Sequence, residues 1–179
     1  AQTGEIMVIV TTSEEPFDAV GGLAEQLAER YPQIKGVIHT TNREKAQVAY
    51  GDTNEIVQGR GSISDKLGPF TFDISPTSFF QPNTLQAERM FERVVSLAEL
   101  EMSERVLDAY CGTGGISLFL SQVAGHVLGI EVSTDAIKDA ARNSAYNQVT
   151  NCEFVSGPAE DLLGQLCQQG DRFDGAGTD

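Results

Sequence analysis

Residues 106–120, VLDAYCGTGGISLFL, are the most informative segment of this chain about its fold. An apolar run leads to an aspartate, a turn rich in glycine follows, and a second apolar run begins directly behind the turn. The first run has the length of a buried strand, and the second has the composition of a buried helix. Glycine lets a backbone adopt conformations that a Cβ forbids and approach a ligand closely. The stretch therefore predicts a strand, a turn and a helix, with a ligand at the turn.

The rest of residues 76–179 continues this alternation of strands and helices. The expected elements are a helix at about 84–100, the strand RVLDAY, the helix GGISLFLSQVA, the strand HVLGIEV, the helix TDAIKDAARNSAYN, the strand CEFVS, the helix AEDLLGQLCQQ and an incipient strand in RFDGAGTD. Such alternation predicts an α/β fold, a parallel sheet with helices on both faces. A sheet of this kind needs further strands, so we expect it to be incomplete and interpret the chain as a fragment.

Residues 1–75 have a different pattern. Short strands, among them EIMVIVTT, KGVIHTTN and QVAYGD, are separated by glycine and Asn/Asp turns and accompany a single helix within PFDAVGGLAEQLAERY. This pattern predicts a small α+β domain at residues 1–75, ahead of the α/β domain at residues 76–179. No internal repeat and no low-complexity linker separates the two parts of the sequence.

The charge and the cysteines narrow the class of protein. The net charge is −14, and residues 1–80 carry 6 basic and 11 acidic side chains against 6 and 15 in residues 81–179. Because nucleic-acid contacts need clustered cations, this balance argues against a self-sufficient nucleic-acid binder. The cysteines, Cys111, Cys152 and Cys167, are odd in number and widely spaced, which fits neither a disulfide framework nor a metal site. We expect a cytoplasmic protein without a metal, and no apolar run has the length of a membrane span.

Three interpretations compete for the glycine turn. The dinucleotide fingerprint G-x-G-x-x-G fails, since counting from Gly112 places Ser117 where the third glycine belongs. A phosphate-binding P-loop needs Gly-Lys-Ser/Thr, and no lysine lies near the turn. The structural alternative is an ordinary strand-to-helix turn whose glycines bind nothing.

Glu131 argues against an ordinary turn. It ends the next predicted strand, 23 residues after Asp108, and a carboxylate at such a strand end can accept both hydroxyls of a ribose. The turn and the carboxylate together favour an adenosine-containing ligand without a diphosphate, S-adenosyl-L-methionine. Gly112 and Gly114 are then cofactor-binding residues, and Asp108 either organises the turn or receives the amino group of the cofactor.

Three longer stretches together resemble the RNA (uracil-5-)-methyltransferase family, whose members form 5-methyluridine in ribosomal and transfer RNA. They are FDISPTSFFQPNTLQAERMFERVV, VLDAYCGTGGISLFL and VLGIEVSTDAIKDAARNSAYN. The SFFQ-x-N-x-x-QAE segment is specific to that family, whereas many methyltransferases share the glycine turn. TGEIMVIV and GVIHTTN resemble the family's central domain, so the resemblance covers essentially the entire chain. CGTGG is closer to the ribosomal RNA branch than to the bacterial transfer RNA branch.

The resemblance implies a class I, Rossmann-like S-adenosylmethionine-dependent methyltransferase sheet and the methylation of a uridine in RNA, with 23S ribosomal RNA as the expected substrate. It further implies cofactor contacts by Gln81, Tyr110, Gly115 and Glu131. FDGAGTD matches the strand that leads into the family's Asp-Pro-Pro-Arg motif, which makes Asp179 the cofactor-site aspartate. In the family, the nucleophilic cysteine and the catalytic glutamate lie downstream of that aspartate, so we expect this fragment to be inactive.

The chemistry that the resemblance implies is covalent. A thiolate adds to carbon 6 of the uracil, carbon 5 takes the methyl group, and a base then removes the proton from carbon 5. Cys111 stands beside the turn, yet a small cysteine that fills a tight turn is the commoner case, so we expect it to pack. Two alternatives stay open: a non-catalytic RNA- or cofactor-binding module, and a fragment of a small-molecule methyltransferase. An incomplete sheet would also expose strand edges, which can pair between chains.

Overall fold

A computed structural model of the chain describes residues 2–13, 18–42 and 53–178. The strands in these ranges are β1 (Ile6–Thr12), β2 (Ile34–Thr41), β3 (Thr53–Gly59), β4 (Ile63–Leu67), β5 (Phe70–Ile74), β6 (Arg105–Ala109), β7 (His126–Glu131), β8 (Cys152–Ser156) and β9 (Gly175–Thr178). The helices there are α1 (Ala19–Arg30), α2 (Thr84–Ala98), α3 (Gly115–Leu120), α4 (Thr134–Tyr146) and α5 (Ala159–Gln169). The strand predicted at QVAYGD lies outside the described residues.

The chain divides into two compact units. The first comprises residues 1–65 and 73–77, and the second comprises residues 66–72 and 78–179. The chain crosses between the units within the hairpin of β4 and β5, whose closed end, Lys66–Phe72, belongs to the second unit.

The first unit is built on a three-stranded sheet of order β1-β2-β3. β1 and β2 run parallel and are connected through α1, whereas β3 pairs antiparallel to β2. The central strand is the most buried, since Val37 and Ile38 have almost no exposed surface, and Ala24 of α1 is equally buried. A polar pair also lies in this unit: the hydroxyl of Thr12 and Nε2 of the buried His39 are 2.9 Å apart.

The second unit contains a four-stranded sheet of order β8-β7-β6-β9, in which every pairing is parallel. The chain proceeds outward from β6 through β7 to β8 and then returns to the far side of β6 as β9. The strand order therefore reverses at β6, and in open α/β sheets ligands bind outside the carboxyl ends of the strands at such a reversal. The predicted α/β alternation and parallel sheet are confirmed.

Two helices of the second unit begin at residues whose side chains cap the first turn. Asn83 caps α2, because its side-chain oxygen accepts the backbone N–H of Gln86 at 3.2 Å. Ser133 caps α4 in the same way through the N–H of Ala136. The inner face of α2 carries Phe91, whose ring packs edge-on against Phe119 of α3 at a centroid distance of 5.3 Å.

Candidate cofactor site

The glycine turn follows β6 and has an unusual backbone. Tyr110, Gly112 and Gly114 all have positive φ, at 66°, 54° and 82°. A positive φ costs a residue with a Cβ about 1 kcal/mol, so two of the three positions carry glycine and only Tyr110 bears the strain. The N–H of Cys111 donates to the carbonyl of Ile130 at 2.9 Å, and the N–H of Gly114 donates back to the carbonyl of Cys111 at 2.9 Å. The first bond holds the turn against the end of β7, and the second closes the turn on itself.

Close packing adds a second reason for two of the glycines. A Cβ on Gly114 would lie 3.2 Å from the Cβ of Ala140 and 3.2 Å from the ring of Phe154. A Cβ on Gly115 would lie 3.2 Å from the ring of Phe91. Because both positions begin α3, the absence of a side chain lets that helix pack closely on its neighbours.

Glu131 lies beside the turn. It ends β7, is half-buried, and its carboxylate accepts two backbone N–H groups: Oε2 accepts from Gly112 at 3.3 Å, and Oε1 accepts from Ser133 at 2.9 Å. The sequence placed this acid at the same strand edge as the turn, and the structure brings the two into contact. A carboxylate has about four lone-pair positions, so these two bonds leave room for two more donors.

Asp108 is fully buried one residue before the end of β6. Its Oδ2 accepts a hydrogen bond from the hydroxyl of Ser117 in α3. Of the two roles left open by the sequence, this bond supports the organising one, because it ties the strand before the turn to the helix after it. Ser117 is also the residue at which the dinucleotide fingerprint fails. Where that fingerprint has a glycine, this chain has a serine whose hydroxyl makes the bond to Asp108.

Tyr110 is 45% exposed, and its hydroxyl donates to Oε1 of Glu160 at 2.7 Å. The hydrogen bond and the negative charge of Glu160 raise the pKa of the Tyr110 hydroxyl above its ordinary value. The same bond lowers the pKa of Glu160. The family resemblance implied a cofactor contact for Tyr110. In the structure, the hydroxyl of Tyr110 is hydrogen-bonded to Glu160 in the first turn of α5.

A narrow, open cleft lies on the turn; its empty space of about 300 Å³ includes open solvent. Its lining residues are Leu67, Phe79, Phe80, Gln81, Phe91, Cys111, Gly112, Thr113 and Gly115. Gln81 therefore shares a cleft with two of the predicted glycines, although it lies about 30 residues before them. Gly112 lines the cleft and also donates to Glu131, so it connects the cleft with the carboxylate.

The sequence did not predict Leu67, Phe91 or Thr113 as lining residues. Leu67 lies in the hairpin before the α/β pattern begins, and Phe91 has the spacing of an ordinary core residue of α2. Only the packing of the hairpin and of α2 against the turn brings them to the cleft, so no local signal could have found them. Thr113, by contrast, stands between two predicted glycines, and its position was a usable signal.

The cysteines differ in environment. Cys111 is buried in the turn, with 1% of its surface exposed, as the packing interpretation predicts. Burial raises the pKa of the Cys152 thiol to about 12, so this thiol stays protonated at neutral pH. Cys167 is exposed near the end of α5. Neither Cys111 nor Cys152 has the exposed, thiolate-stabilising surroundings of a catalytic cysteine.

Asp179 lies outside the described residues. The strand before it, β9, pairs with β6 so that Thr178 is opposite Ala109, the last residue before the glycine turn. Within the described ranges, no group of His, Cys, Asp and Glu side chains could hold a metal ion. Each helix in the described ranges is too short or too polar to span a bilayer.

Comparison with known proteins gives a consistent result. The family model for tRNA (uracil-5-)-methyltransferases matches residues 13–174. An uncharacterized RNA methyltransferase of Oceanobacillus iheyensis is 38% identical over 168 residues, which are 94% of this chain and 37% of that protein. A second such protein, from Geobacter sulfurreducens, is 36% identical over 97% of this chain and 35% of its own length. The chain thus spans little more than a third of these relatives.

Solved structures of RNA methyltransferases have a similar fold. The Pyrococcus abyssi tRNA (uracil-54, C5)-methyltransferase in complex with S-adenosyl-L-homocysteine superposes with a TM-score of 0.67 at 30% identity, covering 86% of this chain and 36% of that one. The M. jannaschii tRNA m1G37 methyltransferase superposes with a TM-score of 0.54 at 18% identity, over 87% of this chain and 45% of that one, which is evidence of fold alone. The fold is that of class I methyltransferases, as the sequence predicts.

Proposed function

This chain belongs to the tRNA (uracil-5-)-methyltransferase family, and on that premise we propose that the whole protein transfers a methyl group from S-adenosyl-L-methionine to carbon 5 of a uridine in RNA. One observation carries the proposal: the Glu131 carboxylate meets the backbone of the glycine turn at the reversal of strand order. A cofactor-bound relative of similar fold, the Pyrococcus abyssi enzyme, supports the choice of ligand.

The proposed cofactor site has two parts joined at Gly112. The remaining lone pairs of Glu131 receive the ribose hydroxyls, and the cleft that includes Gln81 receives the methionine part. Gly114 and Gly115 have no side chains, which lets the start of α3 pack closely beside the turn. Asp108 links β6 to α3 through its hydrogen bond with Ser117. We also propose Tyr110 and Asp179 as cofactor-site residues, because the family resemblance implies them.

When bound, S-adenosylmethionine supplies an electrophilic methyl group on a sulfonium. The role proposed for this chain is to bind and orient that group. Neither Cys111, which is buried, nor Cys152, whose thiol pKa is raised by burial, has the surroundings of a catalytic nucleophile, and the exposed Cys167 lies near the end of α5. We propose that the nucleophilic cysteine and the general base lie outside residues 1–179 and that the chain by itself is inactive. We also propose that residues 1–75 form the central α+β domain and residues 76–179 the methyltransferase domain.

Ribosomal RNA, 23S in particular, is the substrate that we propose, on the likeness of CGTGG to that branch of the family. The net charge of −14 implies that the basic contacts to RNA come mostly from elsewhere in the protein. The cytoplasm, where such RNA is modified and where free cysteines stay reduced, is the proposed location.

Tritium release tests the proposed activity. RNA transcripts labelled with tritium at carbon 5 of uridine are incubated with the whole protein and S-adenosylmethionine, since methylation at carbon 5 expels the tritium into water. We expect release from a ribosomal transcript and less release from a transfer RNA transcript. Cofactor binding without release from either RNA would favour a non-catalytic binding module. Methylation of free nucleosides alone would favour a small-molecule methyltransferase.

A further inference from the structure

Helix α4 carries three polar side chains on one face at four-residue spacing: Asp139, Asn143 and, at the C-cap, Asn147. Asp139 and Asn143 are buried, with 3% and 0% of their surface exposed. Polar groups are costly to bury unless they are hydrogen-bonded, so the partners of these residues show what the face holds. The family resemblance assigned no role to any of the three.

Each of the three side chains holds a different segment of the second unit. Oδ2 of Asp139 accepts a hydrogen bond from the hydroxyl of Ser78. Nδ2 of Asn143 donates to the carbonyl of Thr113 at 3.3 Å. Asn147 pairs with the backbone of Thr71 in β5 through two bonds, of 2.9 and 2.7 Å.

The first two of these bonds lie next to the two walls of the cleft. Ser78 directly precedes Phe79, Phe80 and Gln81, which form one wall. Thr113 lies within the glycine turn, which forms the other wall. Since both bonds originate on one rigid helix, that helix can define the separation of the walls.

The wall that contains Gln81 depends on such side-chain contacts. Residues 78–81 belong to neither a helix nor a strand, so no ladder of backbone bonds fixes their position. Side-chain contacts of this segment include the bond from Ser78 to Asp139 and the packing of Phe80 on Phe72 at a ring distance of 5.5 Å. Asp139 itself is held by Arg142, whose guanidinium donates to Oδ1 at 2.6 Å.

We propose that Asp139, acting through Ser78, and Asn143, acting through Thr113, are positioning residues that set the width of the cleft and thereby the affinity for the cofactor. The proposal rests on the proposed function, because it takes the cleft to hold part of S-adenosylmethionine. Neither residue needs to touch the ligand. Their contribution is pre-organisation: a segment already held in its bound position loses less conformational freedom on binding.

Calorimetric titration of the 179-residue chain with S-adenosylhomocysteine tests the proposal, at a temperature where circular dichroism shows every variant to be folded. Ser78→Ala removes one hydroxyl and is expected to weaken binding about tenfold, the worth of a hydrogen bond to a charged group. Asp139→Asn is expected to weaken binding to a similar degree. Because Ser78 and Asp139 act through one bond, the two losses should not add. The variant that carries both substitutions is expected to bind S-adenosylhomocysteine about as well as the single variant with the lower affinity.

Asn143→Ala has a matched control in Asn151→Ala. Nδ2 of Asn151 also donates to backbone carbonyls, those of Ser121 and Ala124 at 3.0 and 2.9 Å, but it lies at the amino end of the sheet. Both variants are expected to lower the melting temperature, whereas only Asn143→Ala is expected to weaken binding, by about fivefold, the worth of a neutral hydrogen bond. If Asn143→Ala does not fold, Ser78→Ala decides the matter, since it removes a single oxygen atom from a half-buried residue.

The possible failures are distinguishable. No binding by the wild-type chain would overturn the proposed cofactor site, and this inference with it. Wild-type binding together with affinities of Ser78→Ala and Asn143→Ala within about twofold of wild type would overturn this inference alone and leave the cofactor site standing. Additive losses in the double variant would show that Asp139 does not act through Ser78.

Discussion

Replacing Glu131 tests the central contact of the site most directly. Its carboxylate accepts the N–H groups of Gly112 and Ser133 and has two acceptor positions left for a ligand. Glu131→Ala removes all of these acceptors, whereas Glu131→Gln keeps one oxygen and places an NH₂ group where the other was. Since both backbone partners are donors, the glutamine can satisfy only one of them.

The magnitude follows from the number of bonds lost. A hydrogen bond to a charged acceptor contributes about 1.5–3 kcal/mol. Because Glu131 is half-buried and water can replace part of each bond, we take the low end for each of the two ribose hydroxyls, about 3 kcal/mol in total. That free energy corresponds to a dissociation constant for S-adenosylhomocysteine raised roughly 150-fold in Glu131→Ala. Glu131→Gln, which loses about half of the bonds, is expected to bind roughly tenfold more weakly.

Isothermal titration calorimetry with S-adenosylhomocysteine measures both constants. Glu153→Gln is the matched control, because it makes the same change of charge in β8, where Glu153 lies 3.5 Å from His126 at the start of β7. Glu153 is at the other end of the strands from Glu131, so the Glu153→Gln variant should bind S-adenosylhomocysteine as tightly as wild type does. A dissociation constant for Glu131→Ala within about threefold of wild type would refute the reasoning, since the carboxylate would then hold no ligand hydroxyl.

Three further predictions concern packing, thiol reactivity and ionisation. Gly129→Ala should lower the free energy of unfolding by about 1–3 kcal/mol, measured by thermal denaturation, because the new Cβ would lie 2.6 Å from the ring of Phe154. A thiol-reactive chromophore at pH 8 should modify Cys167 alone in the native chain, since it is the exposed cysteine. The Tyr110 hydroxyl should titrate above its ordinary pKa, and Glu160→Gln should bring that pKa down, as followed by the NMR shift of the ring carbon that bears the hydroxyl.

Each of these predictions has its own control. Gly164→Ala adds a Cβ that meets nothing within 4 Å inside α5, so it should leave stability unchanged or raise it by up to about 1 kcal/mol. Equal destabilisation by both alanine variants would contradict the packing argument. Cys167→Ser should abolish native thiol reactivity, and labelling of a second cysteine would contradict either the burial of Cys111 or the raised pKa of the half-buried Cys152. The raised pKa means that the Tyr110 hydrogen bond stabilises the fold below the ordinary tyrosine pKa and is lost as pH rises through the raised value.

Much of the second unit followed from local sequence. The alternation of strand and helix patterns predicted the parallel sheet, and glycine at Gly112 and Gly114 predicted a turn with positive φ. Glu131 was predicted at the turn because parallel strands end at one edge of a sheet, and it is in contact with that turn. These features could be predicted because each depends on residues close together in the chain or on the general geometry of parallel strands.

The residues of the turn and the position of the acid could be predicted from the amino-acid sequence, because periodicity and glycine placement are local properties of the chain. The hydrogen bonds from α4 to both walls of the cleft, by contrast, became visible only in the folded chain. The bond from Ser78 to Asp139 joins residues 61 positions apart, and that from Thr113 to Asn143 joins residues 30 apart. The physical reason is that such a bond depends on how α4 packs, so a serine, an aspartate and an asparagine carry no local signal of their partners.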